Sequence, residues 1–183
     1  MTQSLSRAEF HLWTETQTRG RYERVDGEVI AMAPERSVHA RLKARIWRAL
    51  DREITTLGLP CEAMPDGMAV EIDQDTDYEP DALINGGPPI PDDAMVAPKP
   101  VVIVEVLSPG TAGVDAGGKL ADYFRLPSVR HYLLVRPNRQ EIIHHRRVGD
   151  RIETKVVREG FAELDPPGIR LAIDEVYGAA PKA

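Results

Sequence analysis

The spacing of apolar positions changes period several times along the chain, and each change predicts an element. Ser6, with Glu9 three residues later, has the form of a capping box, so a short helix follows in which Phe10 and Trp13 supply the buried stripe. The segment Tyr22–Met32 alternates about Asp26-Gly27, the signature of a two-residue hairpin turn, and Glu28 begins its second strand. From Ser37 to Leu57 the period becomes helical, with Leu42, Ile46, Ala49 and Leu50 on one face. Met68 to Ile72 and Tyr78 to Asn85 alternate again and predict a hairpin across an acidic turn.

Pro88, Pro89, Pro91, Pro98 and Pro100 interrupt the next stretch, which predicts an exposed loop from Gly86 to Pro100. Val101 to Leu107 is an almost continuous β-branched run, the pattern of a central strand buried on both faces, and Ser108-Pro109-Gly110 ends it. A helix over Val114 to Leu126 turns Leu120, Tyr123 and Phe124 inward, and His131 to Val135 reads as another short buried strand. Strand, helix, strand implies a parallel crossover. Gln140 to Phe161 alternates and turns at Val148-Gly149-Asp150, an antiparallel hairpin at the sheet edge, with Pro166, Pro167 and Gly168 closing it off. The class is α/β with a mixed sheet, and 183 residues suit a single domain over 1–183.

Composition adds limits. Hydrophobic and charged shares of 42% and 28% are those of an ordinary globular chain. No window approaches a membrane span and the N-terminus lacks an apolar signal core, so the expectation is a cytoplasmic protein with no membrane partner. A single cysteine, Cys61, excludes an internal disulfide framework and any multi-cysteine zinc site. The net charge of -6 restricts any nucleic-acid partner to a local basic patch. Arg41, Arg45, Arg48 and Arg52 offer one, as a stripe along the long helix beside the apolar face, readable either as a solvated face or as a phosphate-facing ridge.

One residue breaks the pattern. Glu105 lies inside the apolar run Pro100–Leu107, where no Lys or Arg stands beside it. Burying an ionised carboxylate costs several kcal/mol unless a cation or hydrogen bonds compensate it. Asp81, in the segment Glu79-Pro80-Asp81-Ala82-Leu83-Ile84, falls on the preceding predicted strand, and adjacent strands bring two such acids within reach of one hard cation. Mg²⁺ suits one or two carboxylates and leaves positions for water and a phosphate. The plainer alternative is a carboxylate paired with an arginine or with backbone amides.

Other motifs carry less. Gly113 to Lys119 fits GxxxxGK, but Leu120 stands where a phosphate-cradling loop needs Ser or Thr. His144 and His145 are adjacent on a strand and point to opposite faces, so they cannot chelate one ion together. Ser108 has no GxSxG context, and Pro109 removes the amide an oxyanion hole would use there.

The pieces Tyr22–Met32, His39 at the start of the long helix, Pro80-Asp81, Val101–Thr111, Asp115 and Lys119 ahead of Tyr123, and His131–Pro137 together resemble the Uma2-type restriction endonuclease-like bacterial family of the PD-(D/E)xK nuclease superfamily. The resemblance covers about residues 22–175. It implies a restriction endonuclease-like fold and an Mg²⁺-dependent (or Mn²⁺-dependent) endodeoxyribonuclease acting on DNA as a homodimer. Asp81 and Glu105 would be catalytic metal ligands, Glu28 a further ligand, and His39 with the arginine stripe the DNA contacts. The superfamily places a lysine two residues after the second acid, where this chain has Leu107, and Lys119 on the following helix matches a displaced lysine. A nuclease fold without catalysis, serving as a DNA-binding or assembly module, is the alternative.

Overall fold

The computed structural model describes residues 4–108 and 112–178, with the side chains of 112–116 left aside. In chain order the elements are α1 (Arg7–Thr16), β1 (Tyr22–Val25), β2 (Glu28–Ala31), α2 (Ser37–Leu57), β3 (Cys61–Pro65), β4 (Val70–Glu71), β5 (Asp77–Tyr78), β6 (Ala82–Gly86), β7 (Pro100–Val106), α3 (Ala112–Tyr123), β8 (His131–Val135), β9 (Ile142–Val148), β10 (Arg151–Val157), β11 (Phe161–Leu164), β12 (Ile169–Ala172) and α4 (Ile173–Tyr177). Local chemistry sets many of these limits. The Ser6–Glu9 capping box opens α1. Asp26 and Gly27 both have positive φ, 51° and 79°, as a tight hairpin turn between β1 and β2 demands. Gly58 closes α2 in the left-handed conformation.

Among the described residues the strands form a six-stranded sheet in the order β10-β9-β8-β7-β6-β3, a four-stranded sheet β2-β1-β5-β4, and the pair β11-β12. In the six-stranded sheet β7 and β8 run parallel across the α3 connection, and the remaining neighbours are antiparallel. The result is a central mixed sheet flanked by helices, as the sequence predicts. Two apolar clusters cover its faces. Leu42, Ile46 and Leu50 of α2 pack with Val102, Val104, Val106 and the β12–α4 segment. On the other side Tyr123 at the end of α3, Phe124 just after it and Tyr78 of β5 pack with Ile103, Leu107 and Tyr132.

The expected hairpin from Met68 to Asn85 is different in the structure. Val70–Glu71 and Asp77–Tyr78 form a short pair in the four-stranded sheet, while Ala82–Gly86 leaves it and joins β7. Pro80 lies at the switch, and Asp81 is the first residue beyond it. That switch brings the four-stranded sheet alongside the end of the central one. The turn after Ser108 lies outside the described residues at 109–111.

Candidate active site

Strand parity explains where Glu105 points. Val102, Val104 and Val106 enter the α2 cluster, and Ile103 and Leu107 enter the α3 cluster. Glu105 shares the second parity and faces α3. There its Oε1 accepts from Lys119 Nζ at 3.1 Å and from the Tyr123 hydroxyl at 3.1 Å. Lys119 and Tyr123 are four apart on α3, which puts both on one face of that helix. Lys119 Nζ also lies 2.8 Å from Oε1 of Glu23 on β1, so one buried ammonium joins two buried carboxylates. Burial first, and then the charge of Glu105, holds the Tyr123 phenol well above its usual pKa, so it stays a donor.

Asp81 precedes β6 by one residue, and Ala82 pairs with Val104, which sets Asp81 beside Glu105 on the neighbouring strand. Its amide donates to the Val104 carbonyl at 3.1 Å, and its Oδ2 accepts from the Val106 amide at 2.7 Å. Burial raises its carboxyl pKa above the ordinary value, an effect only partly offset by the Val106 amide, Lys43 and Arg21. Lys43 Nζ, from the first turns of α2, stands 3.4 Å from Asp81 Oδ1 and 2.7 Å from Asp66, and also pairs with Glu35. For Lys43 burial works downward, but the hydrogen bonds to Asp66 and Glu35 and the charge of Asp81 raise its pKa on balance. Arg21 bridges Glu79 and Asp66 at 2.6 and 2.7 Å.

Among the described residues, the acidic side chains Glu23, Glu35, Asp66, Glu79, Asp81 and Glu105 meet the basic side chains Arg21, Lys43 and Lys119, six acidic groups against three basic ones. The surplus is acidic and the donors are hard oxygens, which fits a divalent cation such as Mg²⁺ better than it fits a soft metal. Among the described residues no group of three or more His, Cys, Asp or Glu is arranged to hold a metal ion, so Asp81 and Glu105 offer at most a two-carboxylate set.

The structure thus brings Asp81, Glu105 and Lys119 to one end of the sheet. Glu28 stands elsewhere: it pairs with Val25 beside the hairpin turn and is exposed, on the same face of the hairpin as Glu23 but out at the turn. Of the arginine stripe, Arg45 donates to the Tyr177 carbonyl at 2.7 Å and Arg52 pairs with Glu175 at 2.7 Å, so both are tied to α4. Arg41 and Arg48 are exposed, and His39 is half-buried in the first turn of α2. The side chain of Asp115 lies outside the described residues.

Several sequence expectations also resolve. Gly113–Lys119 is part of α3, a helix where a phosphate-cradling loop would need open backbone amides. His144 and His145 do face opposite ways. His144 Nε2 meets His131 Nδ1 at 2.9 Å, and His145 bonds the Thr154 hydroxyl. Burial pushes His131 and His144 down to about 3 and about 4, so this pair is neutral and shares one proton as an ordinary hydrogen bond.

Sequence reading missed Glu23 and Lys43. Lys43 was findable, since it precedes Ile46 by three and Leu50 by seven and so belongs to the buried stripe. Glu23 carries no such signal, because Glu23 and Arg24 are both buried in β1, on opposite faces.

The whole of this framework is covered by a family model, Uma2, described as "Putative restriction endonuclease", which matches residues 7–174. The chain belongs to the Uma2 family. Two relatives from Synechocystis sp. are similar to it: the uncharacterized protein slr1290, 29% identical over 176 residues (94% of this chain, 91% of that one), and the uncharacterized protein sll1609, 31% identical over 153 residues (82% and 85%). The crystal structure of a putative nuclease belonging to DUF820 from Anabaena variabilis superposes with a TM-score of 0.73 at 16% identity, covering 94% of this chain and 97% of that one. At that identity the likeness shows the fold. Among the described residues no helix is long and apolar enough to cross a membrane.

Proposed function

We propose that this Uma2 protein is a metal-dependent endodeoxyribonuclease in which Asp81 and Glu105 hold Mg²⁺ or Mn²⁺ and Lys119 serves the attacking water. The observation that carries the reading is the position of Asp81 just ahead of β6, beside Glu105 on the neighbouring β7, with Lys119 bonded to Glu105 from α3. The metal would lower the pKa of a bound water and neutralise charge on the phosphate. The remaining work falls to the chain. Lys119 presents an ammonium beside Glu105, where it can orient a water or stabilise developing charge. Glu23 acts as a positioning residue that holds Lys119 from the opposite side, and the Tyr123 hydroxyl orients Glu105. With Arg45 and Arg52 engaged by α4, the members of the arginine stripe that stay open to DNA backbone contact are Arg41 and Arg48, with His39 near the helix start.

Supercoiled plasmid incubated with Mg²⁺ or Mn²⁺ tests the assignment. Asp81→Asn, Glu105→Gln and Lys119→Met should each slow nicking roughly a hundredfold or more. Native rates in all three variants would refute it. One observation favours a second reading, a nuclease fold that binds without cutting: Lys119 already compensates the charge of Glu105 that would otherwise call for a metal. Retained DNA binding by a native chain that cuts neither DNA nor RNA with either metal would select that reading.

A further inference from the structure

The outer strand β10 is the least protected part of the central sheet. It is the terminal strand of the six, seven residues long, and Arg151 to Val156 are all exposed. Ile152 and Val156 leave 44% of their surface to solvent. A long, straight edge with exposed apolar side chains is a template for another strand, and natural edges are ordinarily shortened, bulged or covered.

The backbone register shows which groups are on offer. Arg147 of β9 donates its amide to the Arg130 carbonyl, away from β10, so its partner Ile152 also turns its amide and carbonyl away from β9. By alternation the same holds for Thr154 and Val156. Three outward donor and acceptor pairs are therefore spaced along the edge.

We propose that a second copy of this chain docks on this edge, β10 against β10, antiparallel about a two-fold axis at Thr154. In that register Thr154 faces its own copy once, on the axis, while Ile152 faces Val156, Glu153 faces Lys155 and Arg151 faces Val157, each of these three relations occurring twice. About six main-chain hydrogen bonds form through residues 152, 154 and 156. Glu153 and Lys155 then occupy the non-hydrogen-bonded positions, where cross-strand side chains come closest and opposite charges attract. Ile152 and Val156 meet on one face and cover the apolar surface each copy leaves open.

Neighbouring registers do worse. Shifting the axis to residue 153 sets Glu153 against Glu153, and shifting it to 155 sets Lys155 against Lys155, while larger shifts leave part of the strand unpaired. The strand is self-complementary in one register, which is what an isologous two-fold interface requires.

Sedimentation velocity on the full chain tests this with charge swaps at exposed positions. The native chain should dimerise. Lys155→Glu and Glu153→Lys should each raise the dimer dissociation constant roughly tenfold or more, since each places two like-charge pairs across the axis. An equimolar mixture of the two single variants should regain native association, because one strand then carries acids at both positions and meets a strand that carries lysines at both. The double swap, which restores one charge of each sign to every strand, should regain it too. A monomeric native chain overturns the proposal. So does a native dimer that neither single variant weakens, or single variants whose mixture stays apart.

Discussion

Replacing Lys119 by Met removes the ammonium and keeps most of the apolar stem, so it isolates the charge. Lys119, Glu23 and Glu105 are 5%, 7% and 4% exposed, and the ammonium lies 2.8 and 3.1 Å from the two carboxylates. At an effective dielectric of about 20, each contact has a gross attraction of roughly 5 to 6 kcal/mol. Desolvating three charges offsets most of that, but the variant keeps the two desolvated carboxylates without the ammonium they shared. Removing one partner from such a group costs about 3 to 5 kcal/mol. For a chain of this size each kcal/mol lowers Tm by about 2 to 4 °C, so a fall of at least about 6 °C is expected. Urea unfolding of the native chain, Lys119→Met, Glu23→Gln and the double variant provides the assay. The double variant should be more stable than the two single losses predict, by about 1 to 3 kcal/mol. A loss below about 1 kcal/mol in Lys119→Met, or strictly additive losses, would refute the account of a buried, strongly coupled group.

Two further outcomes follow from burial. Burial raises the Asp81 carboxyl pKa above 3.8, so its contribution to stability is fully present below that value and is lost as pH rises through the higher folded-state pKa. Asp81→Asn has no such titration, and its stability relative to the native chain should therefore improve between acidic and neutral pH while nicking is lost; urea midpoints showing the opposite trend would reject the assignment. Arg24 is fully buried and bonds Asp77 at 2.7 and 2.8 Å and the Gln74 carbonyl at 2.7 Å. Arg24→Met should cost about 3 to 5 kcal/mol, whereas Arg52→Met, which removes an exposed pair with Glu175, should leave the melting temperature close to native, and equal thermal shifts would contradict that ranking.

The sheet was legible where side-chain period and turn chemistry agreed. The capping box at Ser6, the Asp26-Gly27 turn, the helix from Ser37 to Leu57 and the β7–α3–β8 crossover all follow from short-range patterns. The segment from Val70 to Gly86 was not, because two short strands followed by a third give the same alternation as one hairpin, and only tertiary pairing sends Ala82–Gly86 to a different sheet. In the site the same division holds. Glu105 announced itself as a charge in an apolar run, and Lys43 sat unnoticed within a helical stripe. Glu23 became visible only when β1 was laid over the end of β7, since its burial comes from an element far away in sequence.

The position of the lysine follows from the same packing. Leu107, where the superfamily pattern would put a lysine, is 4% exposed and packs with Tyr123 and Tyr132 in the second apolar cluster. A charge at 107 would have to be desolvated among those groups, while the space in front of Glu105 is reached equally well from α3, one turn before Tyr123. The two acids are therefore fixed by the sheet, through the Val104 carbonyl and Val106 amide that hold Asp81 and the ladder that holds β7. Lys119 is fixed by the docking of a helix, through Tyr123 and Phe124 beneath it and Glu23 across from it. A shift of α3 would move the ammonium and leave the carboxylates in place, so the charge balance of the site depends on that one helix seating against β1 and β7.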